Sequence, residues 1–444
     1  MKKLLLLFIS FVAFCSCDNE EFDFTAPVEA QSEIAVDSFY VSFEEALAQA
    51  EKMLAGTTAT RTSATKRKVA NHHEYVANRS TRATGDDVEV RFHVINFEDN
   101  QGFALVSADS RTTPVYAYSE TGNLDIEDAT ENTGFGDFMD AATEYYIAEA
   151  ELTDPDNPLL PTDPNNQTLP ITPVPTNPIL HLPIVELDGE RYYISGEDIE
   201  LQNPGGVLVD VEWHQKWPYN YYCGYNYAAG SDYGYCNATG CGPLAAAQIM
   251  TSFKYPASFG GYAFNWDSIT SSRCFFELYP TISNPAKSAA RLINLIGIEA
   301  NAVYGISTPT YINDMDEMFN SFGYSCTGPV TFNSSKIIES LNAYSPVYTR
   351  GEKLENNSIS AHAWVIDSYK QMKTVTTYYH SYEPYFVAFT TTSMGDIYYH
   401  CNWGFASKSN AAFTLAKNHN GWYLDVFKGY NITNKIIYNI RPNI

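Results

Sequence analysis

The sequence predicts an α+β protein built from two unlike parts, and three observations carry that prediction. In the C-terminal half, helical periodicity comes first and alternating strand patterns follow, rather than the two interleaving. Nine prolines between Pro155 and Pro183 form a tract that excludes helix and central strand and divides the chain. The charge is also split: residues 1–205 carry 36 acidic and 12 basic side chains, and residues 206–444 carry 16 and 15, summing to the net −25 of the whole chain. At 444 residues, 45% hydrophobic and 14% aromatic, the chain has ample material for packed cores, and general disorder is excluded. Its excess of negative charge repels a phosphate backbone, so nucleic acid is excluded as a partner. The division reads as residues 1–17 leader, 18–152 first domain, 153–205 proline-rich linker, and 206–444 second domain.

Met1, Lys2 and Lys3 precede an apolar run from Leu4 to Phe14, too short to span a bilayer, and then Cys15, Ser16 and Cys17. Small residues before a cysteine at this distance resemble a bacterial lipoprotein signal, with Cys17 as the lipid-modified residue and an ordinary cleaved secretion signal as the competing reading. The expected location is therefore an exported lipoprotein of the outer membrane or cell surface. Phe43 to Ala55 has helical spacing and strong helix formers. Thr57 to Thr84, with Lys66, Arg67 and Lys68 and few apolar residues, reads as an exposed, cleavable loop. Val88–Phe97, Gly102–Asp109 and Thr113–Ser119 alternate as antiparallel strands, and Phe135–Ala150 closes the first domain as a helix. In the second domain Gly242–Tyr255 is the best helix, stopped by Pro256, and Asn284–Gly297 is another. SPVYTRG, AHAWVIDSY, GDIYYHCNW, AAFTLA and IIYNI are the strand segments.

Six cysteines fall in the second domain: Cys223, Cys236, Cys241, Cys274, Cys326 and Cys401. No spacing among them forms the paired units of a zinc site, so neither a metal nor a cofactor is expected; Cys223 and Cys236 could pair as a disulfide. In NATGCGPLAAAQIM, Cys241 opens the helix, where the dipole and unpaired N–H groups favour thiolate. Gly242 permits close backbone approach and its N–H can face an oxyanion, and Pro243 costs nothing in a first turn. A buried structural cysteine is the competing reading. Such a thiol needs an imidazole, and His362 sits where a loop enters the strand Ala363 to Asp367. Asn402 in YYHCNWG can orient that ring, with Trp403 shielding it from water. Gln215 in VEWHQKWPYN can supply a side-chain oxyanion donor.

These segments, in this order, resemble the streptopain family of papain-like cysteine peptidases: a Gln followed by Pro-Tyr-Asn, an ATGC-to-AQIM helix, a HAxVID strand and an NWG turn. LINLIGIEANAVYG, FGY, SPVYTRG and FKGYN extend the match, and GFALVSADSRTTPVYAYSETGNLD with the helix near Phe138 resembles that family's inhibitory propeptide. The resemblance implies a papain-like peptidase domain behind a small α+β prodomain. It implies Cys241 as nucleophile, His362 as base and then acid, Asn402 as ring orienter, Trp403 as shield, and Gln215 with the Gly242 segment in the oxyanion hole. It further implies a zymogen acting on protein or peptide substrates and inhibited by its own prodomain, and the lipoprotein-like signal adds the expectation of a lipid tether on that prodomain. Activation would remove the prodomain and free the mature peptidase. The family commonly continues the NWG turn with Trp and a glycine-rich loop, whereas Phe405 is followed here by Ala406, Ser407 and Lys408, so substrate preference does not carry over. Ala361 also stands in place of a Gly before the histidine, and Cys401 precedes Asn402. A catalytically silent surface lipoprotein that binds a partner, and a papain-like amidase acting on non-protein amides, are the competing functions.

Overall fold

The computed structural model describes residues 39–55, 67–80, 87–127, 133–153, 184–187, 189–355, 358–380, 387–405, 411–419, 422–424 and 433–444. The leader with Cys17 and nearly all of the proline tract lie outside the described residues. Helix α1 (Phe43–Ala55) begins with Ser42 and Glu45 capping each other: the Ser42 N–H donates to Glu45 Oε2 at 2.9 Å and the Glu45 N–H to Ser42 Oγ at 3.4 Å. Its Ala46, Ala50 and Leu54, one helical turn apart, form the buried stripe. The helix lies on an antiparallel meander of β1 (Val69–Ser80), β2 (Asp87–Phe97), β3 (Phe103–Ser107) and β4 (Val115–Ser119), which leads to helix α2 (Thr133–Thr153).

Strands β5 (Ile184–Leu187) and β6 (Glu190–Gln202) follow, then helix α3 (Cys241–Phe253) and the short pair β7 (Ser258–Phe259) and β8 (Tyr262–Ala263). Helices α4 (Trp266–Ile269), α5 (Asn284–Glu299) and α6 (Ile312–Ser321) lead to β9 (Tyr324–Thr331) and helix α7 (Ser334–Asn342). The chain ends in β10 (Val347–Glu355), β11 (Ser358–His380), β12 (Val387–Asn402), β13 (Ala411–His419), β14 (Trp422–Leu424) and β15 (Thr433–Pro442). One antiparallel sheet runs β1-β2-β3-β4-β13-β12-β11-β10-β15-β9, so the first domain adds its meander to the edge of the second domain's sheet through Phe413↔Tyr118 and Thr414↔Ala117.

Strand β11 separates two cores because neighbouring residues point to opposite faces. Trp364 and Ile366 join the core that holds the first domain's Phe92, Phe135 and Phe138, whereas Ala363 and Val365 join the core beneath α3, α5 and α6. This places the entrance of β11 where both layers meet.

Three segments depart from the sequence expectation. The stretch expected as a loop contains β1, paired along its length with β2. It is a polar edge strand, and an edge buries too little to show clear alternation. The linker expected to end at residue 205 contains β5 and β6, and β6 pairs with β11 from Lys370↔Gln202 to His380↔Tyr192. Helices α6 and α7 lie between segments that were readable; α7 is announced by Asn333, whose side chain accepts the Lys336 N–H at 3.0 Å.

Candidate active site

Cys241 begins α3, and the glycine on each side of it is required for a different reason. Gly240 has φ +86°, and a Cβ there would also meet the Thr308 oxygen at 2.7 Å. At Gly242 a Cβ would stand 2.3 Å from Thr310 Oγ1 and 3.1 Å from the Tyr348 hydroxyl. No side chain caps this helix start, so its N–H groups face the thiol's surroundings.

The fold brings His362 to that thiol. Burial by itself pushes Cys241 up, but a hydrogen bond and charge from His362, the Ala363 N–H and the charge of Arg350 outweigh it, and the thiol lies below its ordinary value. The other cysteines go the opposite way. Burial pushes Cys223 and Cys401 up to about 12 and Cys274 up to about 11, and raises Cys236 and Cys326 as well. Of the six described, Cys241 alone is shifted toward thiolate.

His362 is 3% exposed, and its Nε2 lies 3.0 Å from the main-chain oxygen of Trp403. A carbonyl only accepts, so Nε2 carries the proton and the neutral ring keeps its lone pair on Nδ1 for the thiol. Three aromatic rings stand parallel to the imidazole: Phe405 at 5.3 Å, Trp364 at 6.0 Å and Trp403 at 6.4 Å between centroids. Trp403, the residue expected as the shield, is the farthest of these three rings. The oxygen on Nε2 belongs to the residue after Asn402, which was expected to orient the ring. Asn402 itself donates Nδ2 to the Val211 oxygen at 2.7 Å, tying the end of β12 to the start of the second domain. Register explains the offset: β12 pairs Asn402 with Val365, and the next residue leaves the ladder with its carbonyl turned toward the ring.

Gln215 is half-buried, and its main-chain oxygen accepts the Thr239 N–H at 3.2 Å, so it stands beside the residues that lead into Cys241. That segment is held by Gln248 of α3, whose Oε1 accepts the Trp213 N–H at 2.9 Å. Gln248 was not singled out from the sequence, although a glutamine inside an otherwise apolar helix is a signal. Two more residues escaped sequence reasoning. Arg350 pairs across the sheet with Ala363, is 11% exposed and forms an ion pair with Glu352. His214 bridges to Phe405, and burial, with Lys216 adding to it, pushes it down to about 4. Among the described residues no group of three or more His, Cys, Asp or Glu is placed to hold a metal.

The first domain covers this region. Asp137 of α2 pairs with Lys353 of β10, with 5% and 15% of their side chains exposed. Farther along the sheet, Lys370 lies 2.6 Å from Glu120 and the Tyr398 hydroxyl donates to the Val115 oxygen at 2.9 Å. The arrangement can generate a thiolate, return a proton from an imidazolium, and hold the His362 ring away from water.

Comparison with known proteins gives the following. Residues 38–146 match the Spi protease inhibitor family, and residues 213–413 match the Peptidase C10 family. Among solved structures, a Prevotella intermedia prointerpain A fragment carrying a cysteine-to-alanine mutation is 15% identical, with a TM-score of 0.45, covering 82% of this chain and 98% of its own. Active wild-type interpain A cysteine protease from the same organism is 17% identical, with a TM-score of 0.36, covering 53% of this chain and 94% of its own. No curated protein matches the chain.

Proposed function

The chain belongs to the peptidase C10 family and carries a Spi protease-inhibitor domain ahead of its peptidase, and from that premise we propose how this cysteine endopeptidase zymogen works. Cys241 is the nucleophile. His362 Nδ1 takes its proton, and the thiolate attacks the substrate carbonyl carbon. The Cys241 N–H, the Gly242 segment and the Gln215 amide stabilise the oxyanion. The imidazolium then protonates the leaving amine, a thioester forms on Sγ, and water activated by His362 releases the acid product. The Trp403 oxygen, placed by Asn402, keeps the ring in the tautomer this sequence requires. The observation that carries the reading is that one cysteine of six is pushed toward thiolate, and that it is the one hydrogen-bonded to an oriented imidazole. Casein hydrolysis by processed enzyme, blocked by iodoacetamide and lost in Cys241→Ala, is the expected result. Alkylation of Cys241 without any proteolysis would overturn it.

The contact of α2 with the strand beside His362, Asp137 on Lys353 and Phe135 and Phe138 in one buried cluster with Trp364 and Trp403, supports prodomain inhibition, because it seats that helix next to the imidazole that substrate must reach. The leader supports a second element of the proposal: lipid on Cys17 anchors the precursor at the outer membrane or cell surface, so prodomain removal also releases the peptidase. Cell fractionation before and after processing tests this, and a mature enzyme that remains with the membrane fraction contradicts release.

A further inference from the structure

The strand that faces His362 also carries a residue that pairs with the prodomain. On β10, Gly351 lies opposite His362, and Lys353 lies opposite Ser360. Residues two apart on a strand share a face, so Lys353 stands on the His362 side of the sheet, roughly 7 Å along the strand from Gly351. Gly351, opposite the imidazole, adds no side chain of its own between the lysine and the ring. In the zymogen the first turns of α2 lie on this surface. Phe135 and Phe138 share one buried cluster with Trp364 and Trp403, and between them Asp137 reaches Lys353. The prodomain therefore offers the peptidase a carboxylate flanked by two aromatic residues, beside the ring that substrate must approach.

The second lysine at the domain boundary lacks this placement. Lys370 is eight residues beyond His362 on β11, roughly 26 Å along an extended strand, and it pairs with Glu120. It fastens the prodomain far from the bond to be cut.

We propose that Lys353 is a specificity-determining residue, which binds an acidic side chain of the substrate in the place that Asp137 holds in the zymogen. The proposal rests on the reading of the chain as a prodomain-inhibited cysteine peptidase. A charge-assisted hydrogen bond from the ammonium to a substrate carboxylate separates Asp or Glu from Asn or Gln by about tenfold.

The test digests a proteome-derived peptide library with enzyme from which the prodomain has been removed by limited proteolysis, and reads the cleaved ends by mass spectrometry. Wild type is expected to enrich Asp and Glu about tenfold at one fixed position from the scissile bond. In Lys353→Met that enrichment should fall to none, in Lys353→Glu it should turn to Lys and Arg, and in Lys353→Arg it should persist. Iodoacetamide titration of Cys241 in each processed variant counts intact sites, so a misfolded variant is recognised, and the remaining variants still decide. Cleavage without acidic enrichment, or enrichment that survives Lys353→Met, overturns the proposal while leaving the peptidase reading intact. A library left uncut by wild type overturns both.

Discussion

Two buried histidines, one in each domain, are held in nearly the same way. His93 on β2 is fully buried, with Nε2 at 2.8 Å from the Val41 oxygen and Nδ1 at 2.9 Å from His72 Nε2. His362 is 3% exposed, with Nε2 at 3.0 Å from the Trp403 oxygen and its remaining nitrogen left for Cys241. In both, a main-chain carbonyl fixes the tautomer. What differs is the second partner. In the first domain it is another imidazole, itself stacked on Phe43 at 4.3 Å, and the pair fastens the start of α1 to the sheet. In the second it is a thiol at an uncapped helix start, where moving one proton creates a nucleophile. A held ring is a structural fastener until it faces a group whose charged form is useful.

Replacing each ring with an isosteric apolar one separates the two roles most sharply. His362→Phe keeps the stack with Trp364, Trp403 and Phe405 but removes both nitrogens. Hydrolysis by processed enzyme is expected to fall by about 10⁴-fold or more, measured as kcat/KM on casein-derived peptides. His93→Phe should leave kcat/KM of the processed enzyme unmoved, since its domain is gone. In the full chain it removes the donor to the Val41 oxygen and the acceptor for His72, at a cost of about 1–3 kcal/mol in denaturant unfolding. A large catalytic loss in processed His93→Phe would break the comparison.

Between these effects lies the link from prodomain to site. Asp137→Asn keeps the shape of α2 but removes the charge it offers to Lys353, a partner change that costs about 3 kcal/mol in a buried pair. Uncleaved precursor is then expected to bind an active-site probe at Cys241 about 100-fold more readily than wild type. An unchanged labelling rate would show that the remaining contacts keep the prodomain in place without this pair.

Much of this was legible in the sequence, and what was not has a common cause. α1, α3 and α5 show as helical patterns with recognisable starts, and β2, β3 and β4 show as strands, because each is rich in the apolar residues that its own domain buries, β3 and β4 along their whole length. β1 is a polar edge strand on its neighbour β2, and β6 is a surface strand whose partner β11 is distant in sequence, so their own residues carry little pattern. The site divides in the same way. Cys241, His362, Asn402, Trp403 and Gln215 stood out because residue type and local motif specify their chemistry. Arg350 and His214 acquire meaning only from register and burial, whereas Gln248 carried a signal, a glutamine inside an apolar helix, whose use only the structure shows. Arg350 matters because β10 sets it opposite Ala363, and no local pattern announces that pairing. The acceptor on His362 is a main-chain oxygen, which every residue possesses and no sequence can single out.

The gentlest test of the comparison is acid. His72 lies below its ordinary value of 6.5, first because burial opposes its charged form and then because His93 repels it, with Glu74 pulling the other way and His73 adding a little. Around the pair, Arg91 lies 3.6 Å from Glu74 and the Tyr40 hydroxyl donates to Glu74 at 2.6 Å, so the Glu74 carboxylate is already engaged. A folded-state value below the unfolded one means that the folded chain binds fewer protons. The stability this gives is complete above about 6.5 and drains away as pH falls through the lower, folded value. Thermal unfolding of the full chain, followed at pH 7 and pH 5, should therefore show a modest loss at pH 5 in wild type. His72→Gln keeps a side-chain N–H toward His93 Nδ1 but does not titrate, so its loss should be smaller. Equal losses in the two proteins would place the acid sensitivity elsewhere and would leave the His72–His93 pair as a fastener indifferent to pH. In the second domain the sign differs in kind. The lowered value of Cys241 keeps its charged form present as pH falls, so iodoacetamide should still alkylate processed enzyme at pH values where an ordinary thiol is protonated and inert.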